Sequence, residues 1–193
     1  MRYVQRCAML LAVGGVLASP LPVRAHTTLR DYIQHRATVD VEGRNIDVTV
    51  ELTFYEDCSV VERRRMDANG DGRIGEGEIR AYLKGEAERF ERDLRLTFDG
   101  KPLELIPLFD PRIDLCGNDA VAPHFHVLKL EYFARTPRMA DSGAVIELKD
   151  GLWADQPALR ALETSGKDGI RATAAASKDP QVWRVKCRRP RGE

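Results

Sequence analysis

The chain has 193 residues, a length typical of one domain or of one domain with a small appended module. It carries 30 basic and 30 acidic residues, a balance that gives no reason to expect a nucleic-acid partner. After residue 25 no apolar run is long enough to span a bilayer, so we expect no membrane span in the mature chain.

Residues 1–25 have the pattern of a secretory signal peptide. Arg2 and Arg6 come first, a short apolar run follows, and the small residue Ala25 ends the segment. The apolar run is interrupted by two glycines and is too short to cross a membrane as a helix. We therefore predict that residues 1–25 are a leader and that the protein is exported, to the periplasm or beyond the cell.

The mature chain would begin at His26 and form a single domain, residues 26–193. Removing the leader leaves 27 basic against 30 acidic residues, a formal charge of −3. The alternative is an N-terminal anchor that stays attached, because Arg24 is an unusual neighbour for a cleavage site.

The first predicted element is a β-hairpin at residues 39–54. Apolar residues from Ile46 to Phe54 alternate strictly with polar ones, and Gly43 begins the interruption between the two strands. Alternation with a period of two is typical of a strand with one buried and one solvated face.

The period then changes to that of helices. Ser59 and Glu62 form a capping-box pattern, which predicts a short helix from Ser59 to Met66. Apolar residues at spacings of three and four between Ile79 and Leu94 predict a second helix. An acidic loop lies between the two helices.

Strand patterns return after the second helix. Asp99-Gly100 is a strong hairpin turn signal between short apolar runs. Further strands are predicted at residues 125–135, 144–149, 170–174 and 182–186, and a short helix at residues 155–163. About seven strands with turns between them favour an α+β protein: an antiparallel β-sandwich-like domain, interrupted at residues 59–93 by a helix–loop–helix.

The acidic loop carries the strongest functional signal. Residues 67–78 read DANGDGRIGEGE and match D-x-[DN]-x-[DN]-G-x5-E without a gap. Oxygen-bearing side chains recur at Asp67, Asn69 and Asp71, a glycine follows where the chain must turn sharply, and Glu78 closes the loop. Several carboxylates in so short a segment repel one another unless a cation offsets the repulsion, and Ca²⁺ prefers six to eight oxygen ligands.

This segment resembles the calcium loop of the EF-hand family, and the predicted flanking helices fit that family too. The resemblance implies that Arg73 contributes only its backbone carbonyl and that a water fills the position next to Gly75. The implied ligand set is Asp67, Asn69, Asp71, the Arg73 carbonyl and Glu78. The whole chain also resembles, more loosely, exported bacterial proteins with one such loop near the start of a β-rich domain.

EF-hands usually occur in pairs, and the sequence contains no second loop. The short first helix and the small number of methionines also argue against a calcium sensor that opens a groove. We therefore expect a single site that binds Ca²⁺ and stabilises the fold or a binding surface in a non-catalytic protein. The alternative for the loop itself is a solvated acidic turn.

A second candidate function uses histidines. His26 would be the mature N-terminus, and His124 and His126 are two apart on a predicted strand, so they would point to one face. Imidazole suits copper and zinc. The alternative to the calcium protein is therefore a periplasmic copper or zinc carrier.

Three cysteines remain after the leader, Cys58, Cys116 and Cys187. Export favours a disulfide, and the position of Cys58 just before the acidic loop and of Cys116 in a loop-like stretch favours that pair. The sequence has no nucleophile elbow, no H-E-x-x-H and no phosphate-binding glycine loop. We therefore expect no enzymatic activity.

Overall fold

The computed structural model describes residues 31–189, which form eleven β-strands and two α-helices. The strands are β1 (Ile33–Glu42), β2 (Asn45–Phe54), β3 (Leu94–Phe98), β4 (Lys101–Leu103), β5 (Ile106–Pro107), β6 (Arg112–Asp114), β7 (His126–Arg135), β8 (Ser142–Asp150), β9 (Ala158–Gly166), β10 (Arg171–Ala175) and β11 (Val182–Arg188). The helices are α1 (Glu56–Met66) and α2 (Glu76–Asp93), which follow each other between β2 and β3. The predicted leader, residues 1–25, and His26 lie outside the described residues.

The strands form two sheets. The first has the order β5-β7-β2-β1-β9, with β6 also pairing with β7, and the second has the order β10-β11-β8-β3-β4. Buried apolar residues from both sheets belong to one hydrophobic cluster. The two sheets and two helices confirm the prediction of a β-rich α+β protein.

The β1–β2 hairpin is the centre of the first sheet and confirms the predicted hairpin. Its register runs from Ile33 opposite Phe54 to Glu42 opposite Asn45, and Gly43 makes the turn at a φ of 60°. The alternating residues of β2 from Ile46 to Phe54 are at most 1% exposed. Burying each such side chain stabilises the fold by roughly 1.5–3 kcal/mol.

The predicted helix at residues 155–163 is wrong. Residues 158–166 form β9, which pairs in parallel with β1 from Ile33 opposite Ala158 to Val41 opposite Gly166. The Ala, Leu and Glu residues of this segment favour a helix locally, but the free edge of β1 offers nine residues of backbone pairing, which outweighs that preference. This parallel pair also makes the first sheet mixed rather than purely antiparallel.

A buried polar group joins the two sheets. His35 Nδ1 on β1 lies 2.5 Å from Asp150 Oδ2 at the end of β8, and both side chains are fully buried. Arg160 on β9 donates to the same carboxylate oxygen at 2.8 Å, and the backbone N–H of Leu152 donates to the other. Asp150 is therefore paired and hydrogen-bonded, as a buried charge must be.

The helices of the structure begin earlier than predicted. Helix α1 starts at Glu56 rather than at Ser59, and Ser59 is a buried residue within it. The predicted capping box of Ser59 and Glu62 is therefore wrong: the Ser59 hydroxyl instead donates to the carbonyl of His124. Neither of the helices in residues 31–189 is both long enough and apolar enough to cross a membrane.

Candidate metal centre

The acidic loop connects the two helices and contains the predicted ligands. Helix α1 ends where the N–H of Asp67 donates to the carbonyl of Arg63 at 3.0 Å, and α2 begins after Gly75. Asp67 is thus fixed to the end of one helix, and Glu78 lies in the first turn of the next. The two helices hold the first and last predicted ligands of the loop.

The side chains of the first three predicted ligands turn back onto the loop. The Asp67 carboxylate accepts hydrogen bonds from the N–H groups of Gly70, Asp71 and Gly72 at 2.9–3.1 Å. Asn69 Oδ1 accepts from the N–H of Asp71 at 2.8 Å, and Asp71 Oδ1 accepts from the N–H of Arg73 at 2.8 Å. These bonds fix the side-chain oxygens against the backbone of a turn that is exposed to solvent.

Glu78 connects the two ends of the loop. Its Oε1 accepts from the N–H groups of Ala68 and Asn69 at 2.9 and 3.2 Å, near the start of the loop. Its Oε2 accepts from the N–H of Gly75 at 2.9 Å, near the end. The carboxylate therefore lies beside the backbone that carries Asn69, where a closing ligand is required.

Gly72 occupies the sharp turn that the sequence predicts. Its φ is 82°, in the left-handed region that side chains with a Cβ disfavour. A Cβ at this position would meet no atom within 4 Å. The need for glycine here is therefore conformational and not a matter of space.

The backbone of Arg73 pairs with the β-rich part of the protein and also contacts the acidic loop. It pairs with Ala120 in an antiparallel bridge, in which the hydrogen bonds are made by Ile74 and Gly72 on either side of it. The N–H and C=O of Arg73 point away from that bridge, and the N–H reaches Asp71. Because both groups of an extended residue point to the same side, the Arg73 carbonyl faces the acidic loop.

The segment paired with Arg73 is fastened to α1 by a buried arginine. Arg63 is fully buried, and burial lowers the pKa of its guanidinium. Its bonds go to Ser59 Oγ and to the backbone carbonyls of Leu115, Asn118, Ala120, His124 and Phe125. Arg63 could not be identified from the sequence, because a residue that binds carbonyls more than fifty positions away leaves no signal in a local pattern.

Glu62 joins the two helices to the segment after β8. Its Oε1 accepts from Trp153 Nε1 at 2.9 Å, and its Oε2 accepts from the Tyr82 hydroxyl at 2.6 Å. Arg65 donates to Glu62 and to Glu86. Burial and the carboxylate of Glu62 raise the pKa of Tyr82, so its hydroxyl stays a donor. The helix–loop–helix is therefore held to the β-sheets by Arg63 on one side and by Glu62 on the other.

The donor set of the loop fits a hard cation better than a soft one. Its predicted side-chain ligands are carboxylate and amide oxygens, and Ca²⁺ takes such oxygens at 2.3–2.6 Å. Within residues 31–189 no three His, Cys, Asp or Glu side chains converge into a closed metal cage. Binding an ion here requires the carboxylates of Asp67, Asp71 and Glu78 to turn from backbone N–H groups toward the centre of the loop.

The two predicted histidine ligands that the structure describes have different surroundings. His126 begins β7, is 1% exposed, and stacks on Phe54 with ring centroids 4.6 Å apart. Its Nδ1 lies 2.7 Å from Ser59 Oγ, and burial lowers the pKa of His126 to about 3. His124 precedes the strand, and its Nε2 lies 3.3 Å from the carbonyl of Cys116. These contacts do not favour a shared copper or zinc site.

The predicted pairing of Cys58 with Cys116 is not present, because all three described cysteines are free. Cys58 faces Gln156, with Sγ 4.0 Å from Oε1, while Cys116 turns to the carbonyl of Asp114 at a φ of 55°. Cys187 is buried on β11, where burial raises the pKa of its thiol to about 11.

No family model matches the chain, and no curated protein matches it significantly.

Proposed function

We propose that residues 67–78 bind one Ca²⁺ in the manner of a single EF-hand loop. The ligands are the side chains of Asp67, Asn69, Asp71 and Glu78 and the backbone carbonyl of Arg73, with a water next to Gly75. The observation that supports this most directly is Glu78, whose carboxylate already reaches both ends of the loop. A ligand in that position can close bidentately on an ion with little movement of α2.

The ion has a structural role in this proposal. Loop and helices are joined to the sheets through the Arg73–Ala120 bridge, Arg63 and Glu62. Ca²⁺ would neutralise the repulsion between the loop carboxylates and thereby stabilise the helix–loop–helix against the sheets. A lone site outside the cytosol needs a dissociation constant only on the order of 10⁻⁴–10⁻³ M.

Export and the lack of catalysis belong to the same proposal. The signal-peptide pattern of residues 1–25 supports export, where free Ca²⁺ is high enough for a weak site to be filled. Ion binding alone accounts for the loop carboxylates, so we do not assign them a catalytic role as an acid–base pair.

Calorimetric titration of Ca²⁺ into the chain from residue 26 tests the proposal. We expect one binding event, lost in Glu78→Gln, which removes a charge and the bidentate contact but keeps the size of the side chain. Glu76→Gln is the matched control: Glu76 lies in the same helical turn, is 92% exposed and makes only a long ion pair with Arg80. Equal binding by the parent and Glu78→Gln, or no binding by either, would show that the loop is a solvated turn.

A further inference from the structure

A second site lies away from the acidic loop. A cavity of about 790 Å³ opens between the C-terminal half of α2, the β3–β4 hairpin and the chain from Glu104 to Pro111. Its volume is within the range of about 300–1,000 Å³ that small-molecule sites occupy. Phe90, Leu96 and Leu130 line it as buried residues.

The cavity wall that faces solvent is also apolar. Ile106 and Phe109, which line it, are 46% and 59% exposed. Large apolar side chains exposed next to one another usually mark a surface that another molecule covers. The segment that carries them forms only the two-residue strand β5 against β7.

Two residues that carry hydroxyl groups, Thr97 and Tyr132, line the cavity. The Thr97 hydroxyl is buried and has no hydrogen-bond partner among the described residues. Tyr132 is 7% exposed, and burial together with the nearby Glu91 raises the pKa of its phenol to about 12. The Thr97 oxygen has essentially no accessible surface and so does not face the cavity, whereas the protonated Tyr132 hydroxyl can donate to a polar group of a ligand.

The charges around the opening are unbalanced. Glu91, Glu104 and Asp110 line it and form no ion pair with any residue of 31–189, while Arg95 lines it and donates to the carbonyl of Arg92. Glu131 also lines it and pairs with both Arg112 and Lys129, so the four carboxylates exceed the three nearby cations by one charge. The opening is therefore acidic, and it attracts a cation and repels an anion.

We propose that this cavity binds a single small amphiphile with an apolar body and a positively charged head group. The body occupies the space between Phe90, Leu96 and Leu130. The head lies at the acidic opening, against the carboxylate of Glu91 and within reach of the Tyr132 hydroxyl. The apolar lining determines that the ligand has a hydrocarbon part, and the charge of the opening determines the sign of its head.

Binding of matched amphiphiles tests the sign of the charge. Dodecylammonium and dodecyl sulfate, both below the concentration at which they form micelles, are titrated into the chain from residue 26 at pH 7. We expect one dodecylammonium per chain and affinity for dodecyl sulfate weaker by about tenfold or more. Glu91→Gln should reduce this preference severalfold, while Glu88→Gln, an exposed neighbour on the same helix that does not line the cavity, should leave it unchanged.

A second pair of variants locates the binding. Ala87 is exposed and lines the cavity, so Ala87→Trp should fill the opening and abolish binding. Ala81→Trp, on the same helix and outside the cavity, should bind normally, and both variants should keep the folded CD spectrum. Equal affinity for both amphiphiles, or binding that survives Ala87→Trp, overturns the proposal. Concentration-dependent dimerisation that Ala87→Trp removes would instead make the cavity an interface between two copies and also overturn it.

Discussion

Arg73 and Ala120 pair in an antiparallel bridge that joins the acidic loop to the segment between β6 and β7. Ile74 donates to the carbonyl of Asp119 at 2.8 Å on one side of the bridge, and Val121 donates to the carbonyl of Gly72 at 2.9 Å on the other. In the EF-hand family, on which the proposed Ca²⁺ site is based, such a bridge joins two loops, whereas this loop pairs with a loop of the β-rich part. A single acidic loop can therefore be supported without a second one.

The first prediction concerns the side chain of Arg73. Its guanidinium forms an ion pair with Asp119, and both groups are exposed. Such a pair contributes about 0–1 kcal/mol, so Arg73→Ala should change the affinity for Ca²⁺ by less than about fivefold. Gly72→Ala places a Cβ at a φ of 82° and should weaken binding more.

Calorimetry on the two variants provides the measurement. A Ca²⁺ affinity that Arg73→Ala reduces more than Gly72→Ala does would refute the view that residue 73 acts through its carbonyl.

The second prediction concerns Arg63. Arg63→Lys keeps the charge but replaces five N–H donors in a fixed plane with three, leaving carbonyls of the 115–125 segment without partners. We expect a loss of about 2–4 kcal/mol in the free energy of unfolding, measured by urea denaturation. Arg64→Lys, at the exposed neighbouring position, should change the free energy by no more than about 0.5 kcal/mol.

The contacts of Arg63 also show which features of the fold cannot be predicted from the sequence. The β1–β2 and β3–β4 hairpins could be predicted because alternation and turn residues are local, and Asp99 and Gly100 adopt positive φ as the turn signal requires. The partners of Arg63 are carbonyls that any sequence carries, and only the folded chain brings them to it. A role of this kind depends on position rather than on residue type.

The strand β9 could not be predicted from the sequence for a related reason. Its residues are not strongly β-forming, and the pairing that makes them a strand comes from β1, more than a hundred positions earlier. The hydrogen bonds of the acidic loop, by contrast, lie within twelve residues, so its sharp turn at Gly72 could be predicted from the sequence. The paired segment at Ala120 lay outside that window and was missed.

The third prediction links Ca²⁺ to the stability of the helix–loop–helix. Trypsin can cleave after Arg73, Arg80 and Lys84, which are exposed. If cleavage requires local opening, Ca²⁺ at ten times its dissociation constant should slow it about tenfold, because the ion binds only the closed form. Mass spectrometry of the fragments, with and without chelator, gives the rates.

Glu78→Gln serves as the control for the proteolysis, and its cleavage should not respond to Ca²⁺. Equal cleavage of the parent protein in Ca²⁺ and in chelator would show that the ion does not stabilise this segment.

The fourth prediction concerns pH and His126. The pKa of His126 is lowered to about 3 in the folded protein, because its imidazole is buried against Phe54 and close to the positive charge of Arg63. In the unfolded chain the pKa is about 6.5. Between these values the unfolded state binds the additional proton, so the free energy of unfolding falls as the pH decreases from about 6.5 to about 3, by up to about 1.4 kcal/mol per pH unit.

The variant His126→Asn isolates this contribution. Its amide N–H₂ can donate to Ser59 Oγ much as the Nδ1–H of the imidazole does, but it does not titrate. Urea denaturation between pH 4 and pH 8 should show a steeper loss of stability in the parent than in the variant, with the difference confined to the acidic side of pH 6.5. Parallel curves would mean that the pKa of His126 is not lowered in the folded protein, which would contradict the burial of a neutral imidazole against Phe54.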